Sequence, residues 1–249
     1  MNIGIYDLTH CSNLNYVERI KIYQRVGFKE LALYLDNKYM QGDENYLDII
    51  NFARKSNLKI QQVHIDYKNA NLICDSTTNL YFEYLDAKAK ECEELKIPYL
   101  VLHASKGDNP PEINILQLNK MENLSKKHKN VYFCFENVRN NSNLEKILNL
   151  NQQNIKMCFD LGHAHAYGNE HELFNKFKDK IICSHLHNNF GKDEHNILTC
   201  GEIDYKPILN ELIKIEDSSN CIEAFPHKDF KLTKIEFESF VRECFESLI

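Results

Sequence analysis

The sequence predicts a single (β/α)8 barrel, and three features point to it. Its 249 residues are the usual length of one such barrel. Short apolar runs alternate with amphipathic stretches along the whole chain, as in a parallel sheet built from βα units. Six of the apolar runs end in a histidine or a carboxylate, and in a barrel these ends share the face that carries active sites.

The first apolar run, Asn2–Tyr6, leads into Asp7-Leu8-Thr9-His10 and not into a glycine-rich phosphate loop. That disfavours a doubly wound open sheet, the alternative for such alternation. The helix Tyr16–Val26 follows. Later units pair the strand Glu30–Leu35 with the helix Tyr46–Ser56, Lys59–His64 with Asn79–Leu95, and Tyr99–His103 with Ile113–His128. The second half repeats the plan: Val131–Glu136 and Asn143–Leu150, Ile155–Asp160 and Glu170–Phe177, Ile181–His187 and Tyr205–Ile215, then Cys221–Phe225 and Thr233–Leu248. The helices rest on apolar spacing with the helical period.

With 43% hydrophobic and 27% charged residues, the chain has material for a large core. No linker rich in Pro, Gly or Ser divides it, so one domain over residues 1–249 is expected and not two small ones. No run approaches the roughly 18 apolar residues of a membrane helix, and Met1–Asp7 enters a strand with no signal peptide. No membrane partner is expected, and a homo-oligomer is allowed. The formal net charge is −6, and the nearest thing to a basic run, Ser125–Lys129, reads as a helix end. This lowers the expectation of duplex binding, though a local patch stays open. The nine cysteines are scattered without a CxxC pair. In a secreted chain that odd number would leave one unpaired, so a reduced, cytoplasmic setting is expected.

The strand ends are His64, His103, Glu136, Asp160, the pair His185/His187, and Glu223. Histidines with carboxylates are the ligand set of Zn²⁺, Mn²⁺ or Fe²⁺. Residues two apart on a strand point the same way. If Glu136, Asp160, His185 and Glu223 face inward, so do Cys134, Cys158, Cys183 and Cys221. The cysteines are either further ligands or, as preferred, a small apolar packing layer beneath the metal. Two loops add chemistry: Asp160-Leu161-Gly162-His163-Ala164-His165 after the sixth strand, and Asn188 through His195 after the seventh. In the second loop Asp193 and His195 are spaced to hold one ion.

These residues resemble the xylose-isomerase-like TIM barrel superfamily, which holds sugar and sugar-phosphate isomerases and epimerases together with endonuclease IV. The likeness spans essentially the whole chain. It is carried by Phe135-Glu136-Asn137, by Phe159-Asp160-Leu161-Gly162-His163, by His185-Leu186-His187-Asn188-Asn189 through Asp193-Glu194-His195 to Gly201-Glu202-Ile203-Asp204, and by Ile222-Glu223. The single-metal isomerases imply Glu136, Asp160, His185 and Glu223 as ligands. Endonuclease IV, with three zinc ions, implies nine: His64, His103, Glu136, Asp160, His163, His185, Asp193, His195 and Glu223. On the seventh strand His185 is favoured as ligand, with His187 behind it or on substrate. The chain departs from the family at Val138-Arg139-Asn140, where endonuclease IV is glycine-rich, and at Asn188, often Asp in the isomerase-like members. Their Gly-Glu-Gly reads Cys200-Gly201-Glu202-Ile203 here.

The resemblance implies a divalent metal cofactor, Zn²⁺ or Mn²⁺, in one to three ions. The first expectation is isomerisation or epimerisation of a sugar or sugar phosphate. Glu136 and Glu223 would pass a proton to and fro beside a carbonyl, with His163 assisting. The substrate would also meet His187, Asn137, Lys106 and Arg139, the last two gripping a phosphate or carboxylate. The alternative is a multinuclear zinc phosphoesterase acting on abasic-site DNA or another phosphoester; nucleic acid is a partner only on that alternative. A non-catalytic metal or sugar sensor is the third class, and the paired carboxylates argue against it.

Overall fold

The computed structural model describes residues 3–227 and 230–248. Asn2, the first residue of the predicted opening strand, lies outside them. Eight parallel strands close into a barrel in chain order. They are β1 (Ile3–Tyr6), β2 (Glu30–Tyr34), β3 (Gln62–His64), β4 (Tyr99–His103), β5 (Tyr132–Glu136), β6 (Ile155–Asp160), β7 (Ile181–Leu186) and β8 (Ser219–Ile222). Closure is made by β1 against β8, with Ile3 opposite Asn220 and Ile5 opposite Ile222. The helices between them are α1 (Tyr16–Val26), α2 (Tyr46–Lys55), α3 (Leu80–Leu95), α4 (Ile115–Lys127), α5 (Ser142–Leu148), α6 (Leu161–Ala166), α7 (Glu170–Phe177), α8 (Lys206–Leu212) and α9 (Lys234–Glu246).

Local chemistry starts and stops these elements. The Asn15 side chain caps α1 by accepting from Glu18 N, and Asn114 caps α4 through Leu116 N and Gln117 N. Thr233 and Glu236 form a capping box on α9. Helix α1 ends at Gly27, whose φ of +125° suits glycine and whose Cβ would strike the Phe245 ring of α9.

Five predicted strands are shorter than expected, the second and the fifth by one residue each, Leu35 and Val131. The third pairs fully only from Gln62, with Lys59 reduced to an isolated bridge to Glu30. The seventh stops at Leu186. The eighth runs over Ser219–Ile222, because its neighbour β1 gives it no partner beyond Ile5. Glu223 and Phe225 continue from there, their N–H groups donating to Leu186 O at 3.1 Å and His195 O at 2.8 Å. The short helix α6 was not expected. It starts on Asp160, whose carboxylate accepts from His163 N at 2.6 Å.

The main core lies between barrel and helices, built by residues such as Ile5, Leu33, Leu100, Phe133, Phe159 and Phe237. Inside the barrel sit Cys134, Cys158 and Cys183 with Tyr99 and Val101, and Cys221 with Tyr6 and Ala32. All four cysteines thus point inward and are fully buried, as strand parity implied, but in two clusters: Cys134, Cys158 and Cys183 in one, Cys221 in the other. Arg19 of α1 is fully buried. It pairs with Asp7 at 2.9 Å and Glu44 at 2.8 Å, fastening the loop after β1 to α1 and to the approach to α2. Among the described residues no helix is long and apolar enough to cross a membrane.

Candidate metal centre

The C-terminal ends of β3 to β8 bring the predicted residues together, and Glu136 stands at the middle. Its Oε2 lies 2.9 Å from His64 Nε2 and 3.1 Å from His103 Nε2. Its Oε1 lies 3.1 Å from His163 Nδ1. His185 Nδ1 lies 3.4 Å from Glu136 Oε2 and 3.0 Å from Glu223 Oε2. Asp193 bridges outward, with Oδ2 3.4 Å from His163 Nε2 and Oδ1 3.1 Å from His195 Nε2.

Three groups of these side chains converge closely enough to hold a cation each. They are His64/His103/Glu136, Glu136/Asp160/His185/Glu223 and His163/His187/Asp193/His195. Glu136 belongs to two of them. All nine positions implied by the endonuclease IV resemblance are present, and His187 joins the outer group. No cysteine enters any group among the described residues. Nitrogen and carboxylate donors without thiolate suit Zn²⁺ or Mn²⁺.

The electrostatics fit cations. Burial alone would raise the Glu136 carboxyl, but His185 and His103 outweigh it and hold it well below the usual range. Asp160 is likewise lowered against its burial by His163 and His187, and Glu223 by His185 and His195. Burial would lower His195, yet the hydrogen bond to Asp193 and the charge of Glu223 raise it to about 9. His163 is raised well above its ordinary value, against its burial, by Asp160 and Asp193. Asp160 Oδ2 and His187 Nδ1 have no hydrogen-bond partner, and His185 Nδ1 and His187 Nε2 face carboxylate oxygens of Glu223 and Asp160, each at 3.0 Å, without good hydrogen-bond geometry. Asp160, His185 and His187 are all fully buried. Orphaned buried polar atoms are costly. Their convergence here on other donors is the arrangement a divalent ion satisfies.

A cavity of about 260 Å³ opens onto these groups. Its floor includes His64, His103, Glu136 and Glu223, and its walls are Tyr34, Tyr67 and Phe225. The Phe225 ring stacks on His195 at 5.0 Å, and His10 meets it edge-on at 5.1 Å. The wall residues were missed in the sequence. Tyr34 ends β2 as His64 ends β3, and Phe225 lies two residues past Glu223, so strand position offered a signal for both. Tyr67 sits in a 3-10 turn and offered none.

The loop between β7 and α8 is knotted by buried Asn188. Its Nδ2 donates to Leu198 O at 2.7 Å and Ile203 O at 3.2 Å, and its Oδ1 accepts from Ile203 N at 3.0 Å. An aspartate could not make those donations, which gives the departure at this position a physical reason. The Asn137 amide is spent on the Asp160 backbone, at 2.8 and 2.7 Å, so it clips β5 to β6 and is not turned to substrate. Arg139 is exposed and paired with Asp108 at 2.9 Å. The Lys106 ammonium lies over the Tyr67 ring, 5.1 Å from its centroid.

The family model described as xylose isomerase-like TIM barrel matches residues 20–242. The chain is 26% identical over 215 residues to a probable endonuclease 4 of Mycoplasma capricolum subsp. capricolum, covering 74% of each chain. It is 26% identical over 216 residues to a probable endonuclease 4 of Mycoplasma mycoides subsp. mycoides, again over 74% of each. Among solved structures, D-psicose 3-epimerase from Clostridium cellulolyticum H10 superposes with a TM-score of 0.74 at 13% identity, covering 100% of this chain and 97% of that one. An L-ribulose 3-epimerase reaches 0.76 at 14% identity, covering 100% and 93%. At such identities the structural likeness speaks for the fold alone. With a closed eight-stranded barrel and a family match across most of its length, the chain belongs to the xylose isomerase-like TIM barrel family.

Proposed function

We propose that this chain is a multinuclear metal-dependent hydrolase of phosphoester bonds, with abasic-site DNA as the first substrate to test. One observation carries the reading: three ligand groups open on a single cavity, and two of them share Glu136. Divalent ions held there would supply Lewis-acid charge at phosphoryl oxygens and an activated water. Four carboxylates, Glu136, Asp160, Asp193 and Glu223, line these groups. Three divalent ions would leave the site cationic and suited to a phosphate, whereas one ion would leave it anionic. The sequence relatives called probable endonuclease 4 support the same direction.

The chain's own residues have plain tasks on this reading. Tyr34, Tyr67 and Phe225 offer ring faces to a sugar. Lys106 presents a cation beside the cavity with no ion-pair partner among the described residues, while the guanidinium of Arg139 is engaged by Asp108.

A second reading, sugar isomerisation or epimerisation, is favoured by the placing of His185 Nδ1 between the carboxylates of Glu136 and Glu223. There the two glutamates would remove and return a carbon-bound proton. Elemental analysis with anomalous scattering, joined to two assays, decides between them. Two or three ions with cleavage of abasic-site DNA or a sugar phosphoester support hydrolysis. A single ion at Glu136/Asp160/His185/Glu223, with deuterium from D₂O entering a ketose or its phosphate, replaces it by the isomerase.

A further inference from the structure

Four histidines of the centre set one ring nitrogen against an atom behind them and turn the other toward a carboxylate, although His163 Nδ1 also lies 3.1 Å from Glu136 Oε1. For His64, His163 and His195 the atom behind is a backbone carbonyl, of Ile65, Asn137 and Glu223 respectively. His185 differs. It lies in β7 with strands paired on both sides, and its Nε2 faces two side chains, Gln62 Oε1 at 3.1 Å and, farther off, the Tyr6 hydroxyl at 3.3 Å.

The Gln62 amide has one orientation. Its Nε2 lies 3.2 Å from Ser219 O and 3.1 Å from Ser219 Oγ. A backbone carbonyl only accepts, so the NH₂ end of Gln62 faces Ser219 and the carbonyl end faces His185. An amide oxygen also only accepts, so His185 Nε2 must carry the proton of that bond. Its Nδ1 is then the nitrogen that can give a lone pair to an ion, and it is the atom that faces the carboxylates, 3.0 Å from Glu223 Oε2, 3.4 Å from Glu136 Oε2 and 3.8 Å from Asp160 Oδ2. The arrangement is anchored further back: Ser219 Oγ donates to Glu30 Oε2 at 2.9 Å, and Gln61 Nε2 donates to Glu30 Oε1 at 2.9 Å. Gln62, Ser219 and His185 are fully buried, so no water competes for these bonds.

We propose that Gln62 is a positioning residue that fixes the Nε2-protonated form of His185, so that Nδ1 is the donor offered to a divalent ion at Glu136/Asp160/His185/Glu223. Outer partners of this kind orient metal-binding histidines, and their loss typically weakens metal binding about 10–100-fold. The inference rests on that group being a metal site.

The test uses Zn²⁺ and the full chain. Long-range ¹H–¹⁵N spectra of histidine-labelled, Zn²⁺-loaded protein read which nitrogen of His185 bears the proton, and competitive chelator titration reads affinity at each group. The wild type should show a slowly exchanging proton on Nε2 and zinc on Nδ1. Gln62→Met keeps the bulk without the amide. It should weaken Zn²⁺ at the four-residue group about 10–100-fold and leave the His163/Asp193/His195 group unchanged. Gln62→Glu keeps an acceptor for the proton on His185 Nε2 and should restore most of the binding. A proton on Nδ1 in the wild type overturns the proposal whether or not the variants fold. So does undiminished Zn²⁺ binding by Gln62→Met, or an equal loss at every group. If the wild type binds no divalent ion, the metal reading fails by itself. The proton position in the ion-free protein at alkaline pH then decides the role of Gln62.

Discussion

Gly162 and His187 fill one space: a Cβ on Gly162 would lie 1.9 Å from His187 Cε1 and 2.1 Å from its Nδ1. The imidazole therefore lies flat against the first turn of α6, where only hydrogen leaves room, and stacks on His195 at 3.9 Å. Gly162→Ala should drive His187 off this seat and disturb the outer group it shares with His163, Asp193 and His195. The expected result is a loss of about 10-fold or more in affinity for the outer ion, with an unchanged far-ultraviolet spectrum. Retention of every ion at wild-type affinity would show that the close fit has no bearing on metal.

Glu136 belongs to two ligand groups and Glu223 to one. Glu136→Gln should thus weaken two ions and Glu223→Gln only one, since an amide is a weaker donor than a carboxylate. Where either glutamate also moves a proton, turnover should fall by roughly 10²–10⁴-fold. Metal counting by mass spectrometry beside steady-state kinetics separates the two effects. Equal metal loss in both variants would rule out the sharing.

Asp193 and His195 hold the outer edge of the centre. Replacing both with Ala should remove the outer ion, leave those around Glu136 bound, and cut activity. Unchanged turnover and affinity would make the pair solvated loop.

The outer group should bind its ion with a marked dependence on pH. A metal takes the neutral imidazole, and binding releases the proton. In the ion-free protein the hydrogen bond and charge around His195 outweigh its burial and raise it to about 9. Affinity should therefore climb as pH rises toward about 9, and His163, raised well above its ordinary value in the same group, adds to the climb. Titration calorimetry in buffers of different ionisation enthalpy reads the released proton directly. A flat profile would remove His195 from the ligands.

Arg19 is buried between Asp7 and Glu44, with Tyr23 donating to Asp7 at 3.0 Å. Arg19→Met leaves a buried carboxylate uncompensated, and breaking such a pair from one side costs about 3–5 kcal/mol. Urea unfolding should show this as a lowered midpoint with little change in slope.

The sequence by itself determined the barrel and the inner candidate ligands, because both follow from short-range periodicity. Alternation along a strand sends Cys134 and Glu136 to the same side, and the end of a parallel strand in a closed barrel lies on a known face. His64, His103, Glu136, Asp160, His185 and Glu223 were legible for that reason. Only the tertiary structure decided which of them converge, because Glu136 meets His64, His103, His163 and His185 across separations that no local pattern encodes. It placed His187 in the outer group by setting it against Gly162, and it spent Asn137 on the β6 backbone. Gln62 stands two residues before His64, as Cys134 stands before Glu136, so its inward direction was readable. Its partners were not: the Gln62 amide touches His185 and Ser219, distant in the chain, only because the barrel closes.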